Sequence, residues 1–259
     1  MHFTNKSILQ TAMRQSAVDA NCNAEDFMKD KNIIVTSAAN PDARKYLNLP
    51  FECNLISYGN NIVASITEKH RRIVSDYINH FPIEHCFETP NLHVLNDAMQ
   101  KENLRVCFMA EYFLPNLEYL KALDCPYELK VLHSEDFDTL YIDKWSNALC
   151  EKRRELDVLG IGAYDSTNLI GLAGCSADCE TMWQIGIDVL PEYRRQNIAC
   201  ALTSRLALEI LEREKVPFYC AAWSNIKSVR NAIKCGFRPA WVETTVKSIS
   251  FVNQMNEQK

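Results

Sequence analysis

The chain has 259 residues, enough for one large domain or two small ones. A hydrophobic fraction of 47% and a charged fraction of 24% are ordinary for a globular protein. A net charge of −5 and a pI near 5.7 exclude the overall basic field that a nucleic acid partner calls for, though local basic groups can still hold a phosphate.

No apolar stretch follows Met1 to Lys6, so no signal peptide is expected. Residues 7–19 and 24–29 read as helices, and 32–37 as a strand. Residues 51–57 and 61–66 are apolar and β-prone, and flank Tyr58-Gly59-Asn60, which predicts a hairpin. An amphipathic helix is expected over 68–81, a short strand over 85–88, a helix over 92–102 and a strand over 105–113. Asp124-Cys125-Pro126 marks a boundary, because proline disfavours helix in the residue before it. It divides the chain into 1–125, a mixed α/β domain of unassigned role, and 126–259.

Six of the seven glycines lie in the second part. A strand is predicted at 128–132, a mainly helical stretch at 137–156, and strands at 159–164, 168–175 and 182–189. Residues 198–214 form a helix, since Ile198, Leu202, Leu206 and Ile210 recur every four positions. A strand at 218–223, a helix at 225–235 ended by Gly236, and a strand at 241–249 complete the order. The β-α-β-α-β alternation echoes between the two parts, but it is too common to require duplication. The longest apolar runs are strand-sized, against the roughly 20 residues of a membrane helix, so a soluble, cytoplasmic protein is expected.

The eleven cysteines are odd in number and several sit inside apolar runs, as Cys107, Cys175 and Cys220 do. They read as reduced thiols. Cys175 and Cys179 have no nearby histidine or second pair, so no metal is expected. All six histidines fall within the first 133 residues. A Ser–His or Cys–His pair confined to residues 134–259 is thereby excluded.

The most informative segment is Ile185 to Ser204. An apolar strand ends at Val189, Pro191 breaks it, and the basic turn Arg194-Arg195-Gln196 runs into the helix that begins at Ile198. The first N–H groups of a helix lack internal partners and lie at the positive end of its dipole, so this is a natural anion site.

Arg194-Arg195-Gln196-Asn197-Ile198-Ala199, with Asn225, Ser228 and Gly236-Phe237 downstream, resembles the GNAT acyltransferases over about residues 127–250. Members of that family move an acyl group from a CoA thioester to an amine. The whole chain also looks like bacterial GNAT proteins that carry an extra N-terminal half. The resemblance implies an α/β (α+β) GNAT fold with a mixed central sheet flanked by helices. It implies an N-acetyltransferase that takes acetyl-CoA to a primary amine in a ternary complex. The amides of Arg195, Gln196, Asn197, Ile198, Ala199 and Cys200 would receive the pyrophosphate, with Arg194 and Arg195 supplying charge. The edge at Ile187, Asp188 and Val189 would pair with pantetheine, Asn225 would reach the pantetheine or the thioester end, and Ser228 would also contact the cofactor. The partners are then acetyl-CoA and a small-molecule or peptide amine, without nucleic acid, membrane or metal. Residues 1–125 would shape acceptor choice or an oligomer interface such as a homodimer.

Several positions depart from the family pattern. Asn197 stands where the family has glycine; among other residues, asparagine best tolerates a left-handed backbone. Ala232 stands where a tyrosine proton donor is frequent, and Trp183 and Ile185 stand where a strand base is found. The resemblance places a base five residues before Asn225, at Cys220. Cys220 also reads as a small buried hydrophobe. Alternation turns Asp188 away from Trp183, Ile185 and Ile187, toward a neighbouring element or solvent. Trp183 and Trp223 read as core or as acceptor-site lining, and the charged run Glu151 to Arg154 as a solvated face. The absent tyrosine and strand carboxylate leave open a second reading, an acyl-CoA-binding sensor or scaffold without turnover.

Overall fold

The structure is a computed structural model that describes residues 3–257. Met1 and His2, on which part of the signal-peptide expectation rests, lie outside the described residues. Two compact units are present. One comprises residues 13–111 and 240–257, the other residues 3–12 and Tyr112–Pro239. The chain passes between them within α1 (Asn5–Ala20), β4 (Leu104–Pro115) and β10 (Phe237–Ser248).

In the first unit β1 (Ile33–Thr36) pairs parallel to β3 (Val63–Ile66). Strand β2 (Cys53–Ser57) pairs antiparallel to β3 and to β10. The predicted hairpin is present, and Gly59 in its turn adopts φ +101°, which glycine alone takes without strain. Helices α2 (Arg71–Ile78) and α3 (Thr89–Gln100) cover one face. Val74, Ile78, Leu95 and Met99 there pack on Cys53, Leu55 and Ala64. Residues 84–87 form a 3₁₀ turn, not the expected strand. Three hydrogen bonds settle it: Cys86 N–H closes on both the Pro82 and Ile83 carbonyls, and Tyr77 Oη donates to the Cys86 carbonyl at 2.9 Å.

A buried cation organises the opposite face. Arg44 is 3% exposed and is met by Asp19, by Glu243 at 2.8 Å and by Tyr46 Oη at 2.7 Å. Trp241 Nε1 donates to the same Glu243 carboxylate at 2.8 Å. A buried charge is tolerable only when paired in this way.

The second unit holds β5 (Glu128–His133), β6 (Asp157–Asp165), β7 (Asn168–Ser176), β8 (Met182–Val189) and β9 (Val216–Ala221). They lie side by side in that order, antiparallel except for the parallel pair β8–β9. Helix α4 (Ile198–Glu212) crosses β6 to β8, and α5 (Ile226–Lys234) packs beside it. The four apolar positions read from the sequence, Ile198, Leu202, Leu206 and Ile210, are each at most 1% exposed. The C-terminal helix α6 (Ile249–Glu257) was not anticipated. Its first turn is capped by Ser248 Oγ, which accepts the Phe251 N–H at 3.2 Å.

The stretch expected to be helical, 137–156, contains only the short 3₁₀ turns Asp143–Trp145 and Glu151–Leu156. Carboxylates from the sheet take its backbone amides. Asp188 accepts from Asn147 N at 2.8 Å and Ala148 N at 3.0 Å, and Asp157 from Cys150 N at 2.7 Å. Arg153 also departs from the solvated-face expectation: it pairs at 3.3 Å with Asp178, which is fully buried.

Burial pushes the Asp157 carboxyl up to about 6, against the Cys150 N–H and Tyr141 hydroxyl that favour its charged form. The folded chain thus keeps this proton to a pH at which the unfolded chain, near 3.8, has lost it. The contribution is fully present below pH 3.8 and is lost as pH rises through 6. Unfolding free energies at pH 4 and 7 should show wild type losing about 2–3 kcal/mol relative to Asp157→Asn over that interval.

Candidate functional site

Strands β8 and β9 are paired only at Met182–Val216, Trp183–Pro217 and Gln184–Phe218. Beyond that register they separate, while β8 stays paired to β7 through Val189. The Ile185–Val189 edge toward β9 is therefore left without a strand. This is the edge to which the sequence assigned Ile187, Asp188 and Val189.

The two faces of β8 differ. Trp183, Ile185, Ile187 and Val189 pack into the core with Ile198, Leu202 and Leu206 of α4. Trp183 is thus tied to the core, whereas Trp223 is 59% exposed. Gly186 and Asp188 face the segment 145–149, and strand alternation puts Gln184 on the same face of β8. Asp188 is bound there three times, since Asn147 Nδ2 adds a 2.7 Å bond to the two backbone bonds. Its carboxylate holds that segment. Gln184, which the sequence reading passed over, donates through Nε2 to Cys220 Sγ at 3.0 Å. The fork between β8 and β9 therefore carries an amide–thiol pair.

At the end of β8, Leu190 N–H bonds the Ile170 carbonyl, and Pro191–Tyr193 forms a 3₁₀ turn. Arg195 and Asn197 both take left-handed backbone, at φ +66° and +67°. Such reversals build concave rows of N–H groups. Asn197 is the N-cap of α4, so the first-turn amides of Ile198, Ala199 and Cys200 open toward the same place. Arg194, Arg195 and Gln196 are exposed, and Arg194 Nε is anchored on the Val189 carbonyl at 3.0 Å. Cys235 Sγ donates to the Cys200 carbonyl at 3.3 Å, and hydrogen bonding with Cys235 lowers the Cys200 thiol below its ordinary range.

Asn225 caps α5, its Oδ1 accepting the Ser228 N–H at 3.3 Å. Ser228 Oγ lies 2.8 Å from Tyr219 Oη. Ala232 is fully buried. The segment that would carry the missing tyrosine thus places a serine–tyrosine contact nearby, with the phenol's proton held more firmly by burial. A cavity of about 430 Å³, bordered by Ile142, Trp145, Leu169, Leu190 and Tyr193, lies beside the basic turn.

A family model described as GNAT acetyltransferase matches residues 69–241, two thirds of the sequence. The chain belongs to the GNAT acetyltransferase family. Its mixed α/β fold is the family's, as the resemblance implied. No curated protein matches the sequence. Among solved structures, it is similar to a GCN5-related N-acetyltransferase-like protein from Streptococcus suis, with 19% identity, 60% of this chain and 68% of that one covered, and a TM-score of 0.46. A GNAT-family acetyltransferase from Colwellia psychrerythraea is 15% identical, with 58% of this chain and 61% of that one covered and a TM-score of 0.42. An aminoglycoside N-acetyltransferase in complex with CoA is 16% identical, with 47% and 93% covered and a TM-score of 0.36. The match spans less than two thirds of the Colwellia protein. Among the described residues, no helix is long and apolar enough to cross a membrane.

Proposed function

We propose that the protein transfers an acetyl group from acetyl-CoA to a primary amine, directly, in a ternary complex. The observation that carries this reading is the β8–β9 fork, which opens after Gln184–Phe218 and leads to the left-handed turn Arg195–Asn197. Pyrophosphate sits on the amides of residues 195–200, with Arg194 and Arg195 balancing its charge. Pantetheine lies along Ile187–Val189 as an added strand. Asn225 and Ser228 meet its thioester end.

Cys220 is the proposed base, and Gln184 Nε2 orients its sulfur. The neutral amine nitrogen attacks the thioester carbonyl, its proton passes to the Cys220 thiolate that Gln184 Nε2 faces, the carbon–sulfur bond breaks and CoA departs as the thiolate, which recovers the proton from the Cys220 thiol. Holding both substrates together supplies much of the acceleration. Every residue given a role lies between Gln184 and Ser228. We therefore assign the chemistry to the segment 126–259, with 1–125 shaping acceptor choice or a homodimer interface, in a soluble cytoplasmic protein.

Titration calorimetry with acetyl-CoA, followed by thiol-release assays across an amine panel, tests the reading. Saturable binding and turnover with at least one amine are expected. No binding at millimolar acetyl-CoA would sink it. Tight binding without turnover across the panel would instead establish the sensor reading.

A further inference from the structure

The two motifs that carry the family resemblance are held by one connection, residues 116–127, between β4 and β5. At one end the Asn116 N–H donates to the Gly236 carbonyl at 2.9 Å. Gly236, at φ +94°, passes so close beneath Leu120 that a Cβ would lie 2.6 Å from the Leu120 nitrogen. At the other end three hydrogen bonds reach the basic turn and its helix. Asn197 Nδ2 donates to the Asp124 carbonyl at 3.2 Å, Tyr127 Oη to Gln196 Oε1 at 2.9 Å, and Leu123 N–H to Ser204 Oγ at 3.1 Å. The Tyr127 ring also meets Tyr193 edge-on at 5.6 Å.

We propose that this connection is a clamp that fixes the acyl-CoA turn, and that Asn197 is its positioning residue; the ligand's identity rests on the function proposed above. Glycine at this position would adopt φ +67° freely but would offer no side chain to hold. Asparagine accepts the same backbone at small cost and anchors the turn to Asp124. Amides fixed before the ligand arrives lose less freedom on binding, so affinity rises without a new ligand contact. The departure from the family glycine is thus a change in how the turn is held.

Asn197→Gly removes the anchoring side chain and keeps the left-handed backbone accessible; because glycine also loosens the chain, Tyr127→Phe supplies the comparison that leaves the backbone unchanged. Tyr127→Phe removes the second anchor and keeps the ring contact. Hydrogen exchange of the amides at 194–200, measured without ligand, should be about three- to tenfold faster in each variant, the worth of one lost hydrogen bond. The Kd for acetyl-CoA should rise by about the same factor, while the amine KM stays at the wild-type value. Coincident exchange rates in wild type and both variants would overturn the clamp, whatever the ligand. Faster exchange with an unchanged Kd would overturn its role in positioning. If wild type itself binds no acetyl-CoA, the ligand assignment falls, and the exchange rates still decide the clamp.

Discussion

Replacing Gly186 by alanine should cost about 3–5 kcal/mol of stability and abolish ordered packing of the segment 145–149. A Cβ at this position would sit 1.8 Å from the Asn147 carbonyl oxygen and 2.9 Å from its carbon. Both are backbone atoms, so no rotamer change relieves the contact. The segment must lift, and lifting it breaks the three bonds that Asp188 makes to Asn147 and Ala148. Each such bond is worth about 1 kcal/mol, more where the acceptor is charged. Gly171→Ala supplies the control within the neighbouring strand. Its Cβ would meet only side-chain atoms, the nearest being Leu202 Cδ1 at 3.0 Å, which can yield by a few tenths of an ångström. Chemical denaturation of the two variants should therefore separate them by at least about 2 kcal/mol. Equal stabilities would show that the 145–149 segment is not pinned to β8.

Cys220→Ala should lower kcat by about 100-fold or more, the usual worth of a general base, and leave the acetyl-CoA KM close to wild type. The sulfur is placed at the fork and receives the Gln184 Nε2 hydrogen bond, whereas the pyrophosphate turn is built from other residues. Binding and chemistry should therefore part company in this variant. Gln184→Leu should give a smaller fall, because it removes the orienting donor and leaves the sulfur in place. Steady-state kinetics with a responsive amine measures both. An unchanged kcat in Cys220→Ala would remove the thiol from the reaction and leave positioning and water to account for proton loss.

The basic turn shows how much of the site was legible. Arg194 to Ala199 could be read as an anion site because a strand, a proline and a helical period follow one another along the chain. The left-handed geometry expected of Asn197 is present at φ +67°, since the side-chain preference for that region is local. Gln184 was not legible. Its meaning comes from standing opposite Cys220, a residue 36 positions away, across a parallel pair that opens just there. Asp188 lay between these cases. Alternation correctly turned it from Trp183, Ile185 and Ile187, but its partners belong to a distant segment.

Residues 137–156 mark the limit most clearly. Their composition suits a helix, yet the amides of Asn147, Ala148 and Cys150 are taken by Asp188 and Asp157, which makes a tertiary bond the better partner than the next turn. The sequence by itself determined the strand alternation, the buried stripe of α4, the hairpin at Gly59 and the basic turn, because each depends on neighbours in the chain. Only the tertiary structure decided the amide–thiol pair at the fork, the segment pinned onto Gly186, and the clamp on Asn197. Those depend on distances between atoms that the chain brings together from far apart, and local preference carries no information about them.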